Sequence, residues 1–294
     1  MNLTVNATND AYCFRVTDDG DSLDSYSDLP ELTLAFDPVI TNVTLNDGLD
    51  ISLVPGTTTT IVASSTVTDF NGVGDLASAT TTFYTTSAGA LCTPNDNNCY
   101  VATSSCSFTA CSGTSCSLQC TAPFAFHANP TDDVSDPDEW FAFMEVSDTA
   151  GGVDLEGSIG VELFTIRALD VQNDIAYGSV DINDDTGAFN PMVSLVNIGN
   201  EPIDVTIGGS DMTDGAASVI PASQQLFATS TFTYTSCIGC QALSVIGTDV
   251  EVDLPKPTAS TPAVADEIYW GIEVPFGTNS AAHTGLNTFT AISD

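Results

Sequence analysis

The chain has 294 residues, 43% of them hydrophobic, and 39 Asp and Glu against three basic side chains, for a formal net charge of -36. This is enough length and apolar content for two domains with real cores, and the charge excludes nucleic acid, whose phosphates need clustered Lys and Arg. It also disfavours anionic membrane surfaces, no apolar run is long enough to span a bilayer, and so many hard oxygen ligands suit divalent cations such as calcium, with a solvated acidic surface as the competing reading.

Residues 1 to 36 read as an N-terminal arm. Leu3, Val5 and Ala7 alternate with polar residues as in a half-buried strand, an Asp-rich segment follows, and Leu32, Leu34 and Phe36 alternate again. The first ten residues, MNLTVNATND, lack the basic start and apolar core of a secretory leader. The expectation is therefore a mature form whose leader has been removed. Sequons at Asn2, Asn6 and Asn42 suit glycosylation of an exposed extracellular segment. Cys13 stands apart from the other eight cysteines and is the odd thiol, expected to be free or paired between chains.

From residue 37 to 167 short strands alternate with turn residues: Val39 to Leu45, Ile51 to Val54, Ile61 to Val67, Ala77 to Tyr84, Phe124 to Ala128, Trp140 to Val146 and Ile159 to Ile166. Such spacing without helical periodicity predicts a β-sandwich. Between them Cys92, Cys99, Cys106, Cys111, Cys116 and Cys120 fall in a Ser- and Thr-rich stretch read as a disulfide-stapled loop. Zinc is disfavoured there, because structural sites want tight C-x2-C pairs. Oxidised cysteines place the chain outside the cytoplasm. Asp69 with Gly72 and Asp148 with Gly151 form two similar Asp-x-x-Gly turns. Each is expected to be a hairpin turn in which Asp caps backbone amides.

From residue 168 to 294 the alternation is cleaner, as in Ile203-x-Val205-x-Ile207, Val250-x-Val252-x-Leu254 and the run from Ile268 to Val274. Antiparallel strands with one wet face read this way, so a second sandwich is predicted, abutting the first without a Pro/Gly linker. Helix is confined to a turn or two at Pro221 to Phe227. Cys237-Ile-Gly-Cys240 is expected to be a small hairpin disulfide, since no βαβ context marks it as a redox motif.

The turn from Val67 to Leu76, the run Asn97-Asn98-Cys99-Tyr100, the segment Phe126 to Asp132 leading to Trp140, and Asn197 to Ile203 followed by Gly209 to Met212 together resemble the secreted immunoglobulin-like surface proteins of archaea and Patescibacteria-type bacteria. The resemblance covers residues 37 to 294. It implies an all-β chain of two tandem immunoglobulin-like sandwiches, an extracellular structural role in surface layers or filaments, and no catalytic residue.

The sequence carries few signals of catalytic chemistry. His127 and His283 are the only histidines, and no G-x-S-x-G, HExxH or phosphate-loop motif accompanies them. Asp181, Asn183 and Asp185 ahead of Gly187 alternate as calcium-loop oxygens do, with an Asx-rich turn as the competing reading. Asp132, Asp133, Asp136, Asp138 and Glu139 form a weaker acidic candidate. No cofactor is otherwise expected. The functional expectation is a non-enzymatic filament subunit, polymerising by strand exchange through Leu3, Val5 and Ala7. A surface-layer protein, a module binding glycans or other surface proteins, and a β-rich hydrolase are the alternatives.

Overall fold

The computed structural model describes residues 35–135, 137–261 and 263–294. The predicted donor segment with Leu3, Val5 and Ala7, the sequons at Asn2 and Asn6, and Cys13 all lie outside the described residues. What is described is nearly all β, in antiparallel sheets.

The first half holds β1 (Val39–Leu45), β2 (Thr58–Thr68), β3 (Leu76–Thr85), β4 (Cys99–Ala102), β5 (Cys106–Ser112), β6 (Ser115–Ala125), β7 (Trp140–Asp148) and β8 (Val153–Gly157). They form two four-stranded sheets, ordered β1-β2-β6-β5 and β4-β3-β7-β8. The central strands β2, β3, β6 and β7 turn alternate residues inward, as the two-residue period requires. Thus Ile61, Ala63 and Val67 of β2 and Leu118, Ala122 and Phe124 of the neighbouring β6 face one core, closed on the other side by Phe83, Trp140, Ala142 and Met144 of the second sheet. Its centre is aromatic: Phe124 stacks on Tyr100 at 4.2 Å and tilts against Trp140 at 4.7 Å, with Phe83 edge-on at 5.7 Å. Each such pair adds about 0.5–1.5 kcal/mol beyond area burial. The polar atoms of this cluster are also satisfied. Trp140 Nε1 donates to the Asn129 carbonyl (3.0 Å), and the Tyr100 hydroxyl donates to the Asp96 carbonyl (2.5 Å) while accepting from the Ala125 amide (3.0 Å).

The second half holds β9 (Leu169–Gln172), β10 (Asp184–Asp185), β11 (Met192–Asn197), β12 (Ile203–Gly209), β13 (Met212–Thr213), β14 (Val219–Ile220), β15 (Gln225–Ala228), β16 (Gln241–Ala242), β17 (Thr248–Leu254), β18 (Ala265–Val274) and β19 (Asn287–Ser293). One sheet is ordered β16-β15-β18-β11-β9, with β10 also on β18, and faces a second, β17-β12-β19. Trp270, Phe227, Ile203, Val205 and Ile207 fill a separate buried core. The strands expected at 203–207, 250–254 and 268–274 are all present.

Several expectations need correction. The cysteine stretch is not a loop: it contains β4, and β5 and β6 form a hairpin closed by Gly113 and Thr114, with Gly113 at φ +61. Cys106 and Cys120 are direct cross-strand neighbours in it. The abundance of Ser and Thr masked a strand pair, although β-branched Thr favours strands. The turn after Asp69 is likewise not a hairpin turn, because β2 and β3 belong to opposite sheets and the chain crosses between them. The turn after Asp148 does join paired strands, β7 and β8. Residues 51–54 and 159–166 make only isolated bridges, Ile51 to Leu163 and Val161 to Trp140. Helix near residue 221 is a single 3-10 turn, Ala222–Gln224, and β15 follows at once.

The two cores meet at a joint built by Asn197 to Glu201. Gly199 lies so close to the Ile166 carbonyl that a Cβ would collide with it. Buried Asn200 donates from Nδ2 to the Phe164 carbonyl (3.1 Å) and accepts from the Ile166 amide at Oδ1 (2.6 Å). Arg167 pairs with Glu201 beside it. On another side Lys256 reaches across from the second half, donating to the His127 carbonyl (2.6 Å) and to Asn97 Oδ1 (3.2 Å).

Candidate functional site

Eight cysteines pair as Cys92–Cys99, Cys106–Cys120, Cys111–Cys116 and Cys237–Cys240. All eight expected disulfide positions are therefore used, and four disulfides fit an oxidising, non-cytoplasmic compartment. No described helix is long and apolar enough to cross a membrane.

The densest chemistry lies where the two Asp-x-x-Gly turns converge. Asp69 Oδ1 accepts from the Asn71 amide (2.8 Å), and Asp148 Oδ1 accepts from the amides of Ala150 and Gly152 (both 2.8 Å). The capping expected of both residues is thus present, and it uses only one oxygen of each carboxylate. Asp69 Oδ2, Asp148 Oδ2 and Asp75 Oδ1 are buried and meet no hydrogen-bond donor. One carboxylate oxygen from each of the three residues lies within 4.8 Å of the others. Asp69 and Asp148 are 0% and 5% exposed, so water does not compensate them. Burial, opposed by the Asn71 amide and reinforced by the charges of Asp75 and Asp148, pushes the Asp69 carboxyl above the usual range. The space is kept open by Gly152, where a Cβ would strike Asp37 Oδ1 and Asp148 Oδ2. The chain enters β1 at the same place: the Phe36 amide donates to Asn71 Oδ1 (2.6 Å), and Phe36 meets Phe70 edge-on at 6.0 Å.

The other acidic candidates are differently placed. In the predicted calcium loop, Asp185 Oδ1 accepts from the Gly187 amide (2.6 Å), the Asp181 carbonyl accepts from the Asp184 amide (3.2 Å), and Asn183 takes φ +67. These are hydrogen bonds of a turn, on an exposed strand connection. Asp132 accepts from the Thr165 amide and hydroxyl, Asp133 from Ser135, and Asp138 from Ser87. Asp204, Glu251 and Asp253 also gather, but Glu251 and Asp253 are exposed and Asp204 Oδ1 caps the amides of Val252 and Asp253.

Both histidines meet a serine. His127 is buried, with Nε2 3.5 Å from Ser260 Oγ and Nδ1 without a partner, so no acid orients that ring as a triad requires. Burial, then the Lys256 charge, lowers its pKa. His283 contacts Ser218 Oγ (3.0 Å) through Nε2 and the Ala281 carbonyl (3.0 Å) through Nδ1, again with no carboxylate at the second nitrogen. Asn42 is exposed on β1, in the left-handed region at φ +57 where the strand register shifts.

A second feature is an open sheet edge. β19 pairs with β12 on one side, β9 pairs with β11 on one side, and among the described residues neither has a ladder partner on the other. Beside them runs a groove of about 730 Å³ lined by Val171, Tyr177, Val193, Leu286 and Phe289. Phe289 is half-buried there, edge-on to Trp270 at 6.1 Å. Alternation in the sequence predicted the strands; that one core would be left open at its flank was not visible in it. No family model matches the chain, and no curated protein matches it.

Proposed function

We propose that the chain is a structural subunit of an extracellular filament, two tandem immunoglobulin-like sandwiches that polymerise head to tail. Residues 2–8 of one subunit, with Leu3, Val5 and Ala7 inward, add as a strand to the open edge of the next. The order β1-β2-β6-β5 over β4-β3-β7-β8 supports the immunoglobulin-like reading, because it parallels the A-B-E-D and C′-C-F-G sheets of that fold. The resemblance to archaeal and Patescibacteria-type surface proteins points the same way.

The observation that carries the reading is the edge of β19 beside the groove. β19 ends the sheet β17-β12-β19, its outer side is unpaired among the described residues, and the groove runs beside it. An exposed edge is a template for another strand, and strand addition supplies main-chain hydrogen bonds plus pockets for alternate side chains. The donor segment and β19 are both seven residues long, so they match in length. Donor and acceptor surfaces differ, so the contact is head to tail and propagates into an open polymer unless the rotation closes it into a ring. With -36 per subunit, packing requires screening by salt or cations.

The test is complementation. A chain lacking residues 1–10 is mixed with a synthetic peptide of residues 1–12 and followed by calorimetry and thermal unfolding. The reading expects one peptide bound per chain, a raised unfolding midpoint, and loss of both in F289D. A peptide that does not bind, or that binds F289D equally well, contradicts it.

A further inference from the structure

We propose that Asp69, Asp75 and Asp148 hold one calcium-type divalent cation, which ties the turn between β2 and β3 to the turn between β7 and β8. This goes beyond the filament reading and does not depend on it.

Calcium sits about 2.3–2.6 Å from its oxygens, so two ligands on opposite sides of one ion are about 4.8 Å apart. The three carboxylates bring an oxygen each within 4.8 Å of one another, the span of a single ion. Asp69 and Asp148 are almost wholly removed from water, and each leaves Oδ2 without a donor after Oδ1 has capped its turn. An unpaired buried carboxylate oxygen is expensive, and three together repel one another. A positive charge is therefore needed at this place. Neither described basic side chain supplies it: Arg167 pairs with Glu201, and Lys256 is bonded to Asn97 and His127.

The ligand chemistry selects the ion. All three donors are hard carboxylate oxygens with no His or Cys among them, which favours calcium or magnesium over zinc. Calcium accepts an irregular ligand shell, whereas magnesium demands a near-ideal octahedron and keeps its waters. Asp37, facing the same Gly152, stands at the rim as a fourth oxygen source. The alternative occupant is a proton shared between two carboxylates, as close acidic pairs can hold.

The experiment separates cation from proton. The full-length chain, stripped with chelator in 0.15 M salt, is titrated with calcium chloride by calorimetry, and its unfolding midpoint is measured with calcium, with magnesium and with EGTA. The expected result is one site above the weak background of surface carboxylates and a midpoint raised by calcium more than by magnesium. D75N should lose that site and that response, yet unfold at or above the wild-type temperature in EGTA, because it removes repulsion while both caps remain. D181N/D185N should keep both. If D75N and wild type respond equally to calcium, or if D75N is more stable under every condition, the proposal is overturned in favour of a shared proton. If D75N fails to fold, wild-type density obtained with terbium decides: a peak between the three carboxylates supports the site, and its absence removes it.

Discussion

Asp69 and Asp148, on turns that follow β2 and β7, each cap their own backbone with Oδ1 and bring a carboxylate oxygen within 4.8 Å of the other. Capping and convergence are separable by substitution. D148N keeps an oxygen for the amides of Ala150 and Gly152, whereas D148A strands both. D148A should therefore unfold about 1–3 kcal/mol more easily than D148N under chelation, measured by urea denaturation. Equal stability of the two variants would show that the cap contributes nothing.

The β5–β6 hairpin depends on its cross-strand disulfide. Cys106 and Cys120 are paired in register and close a loop of 14 residues, for which loop-closure entropy gives about 3 kcal/mol. C106S/C120S should lose roughly 2–4 kcal/mol, while C237S/C240S, closing a separation of 3 residues, should lose less. Denaturant midpoints in the two variants check the order.

Lys256 gives the joint a pH dependence. Burial lowers its ammonium from the usual 10.5 to about 8. Between those values the folded chain releases a proton that the unfolded chain still binds, so this group makes stability rise with pH. Tyr100, Tyr177 and Tyr234 act oppositely above pH 10, because burial holds their phenols protonated in the fold, Tyr234 to about 12. Stability relative to K256Q should therefore climb between pH 8 and 10. A constant difference across that window would show that the ammonium is not desolvated.

Strand positions were legible because period-two alternation is strong, as at Val39–Leu45, which matches β1 residue for residue. The cysteine segment was misread because Ser and Thr look like loop composition, yet Cys116, Leu118 and Cys120 all face the core in alternation. Sequence alone also could not choose among disulfide pairings. At Asp69 and Asp148 the turn chemistry was readable and the meeting of the two turns was not, since it follows from how opposite sheets pack. Lys256 showed only as one of three bases; that it spans the joint depends on tertiary contacts. Asn197 to Ile203 was legible as a turn, but not as the joint that presses Gly199 on Ile166.

Negative-stain electron microscopy tests the proposed polymerisation through the N-terminal arm most directly. Full-length protein at physiological salt with calcium should form filaments with a regular axial repeat. A chain lacking residues 1–10 should remain as dispersed particles with an unchanged circular dichroism spectrum. Filaments that persist after the deletion, or a full-length chain that stays dispersed at any salt and calcium concentration, would contradict the account.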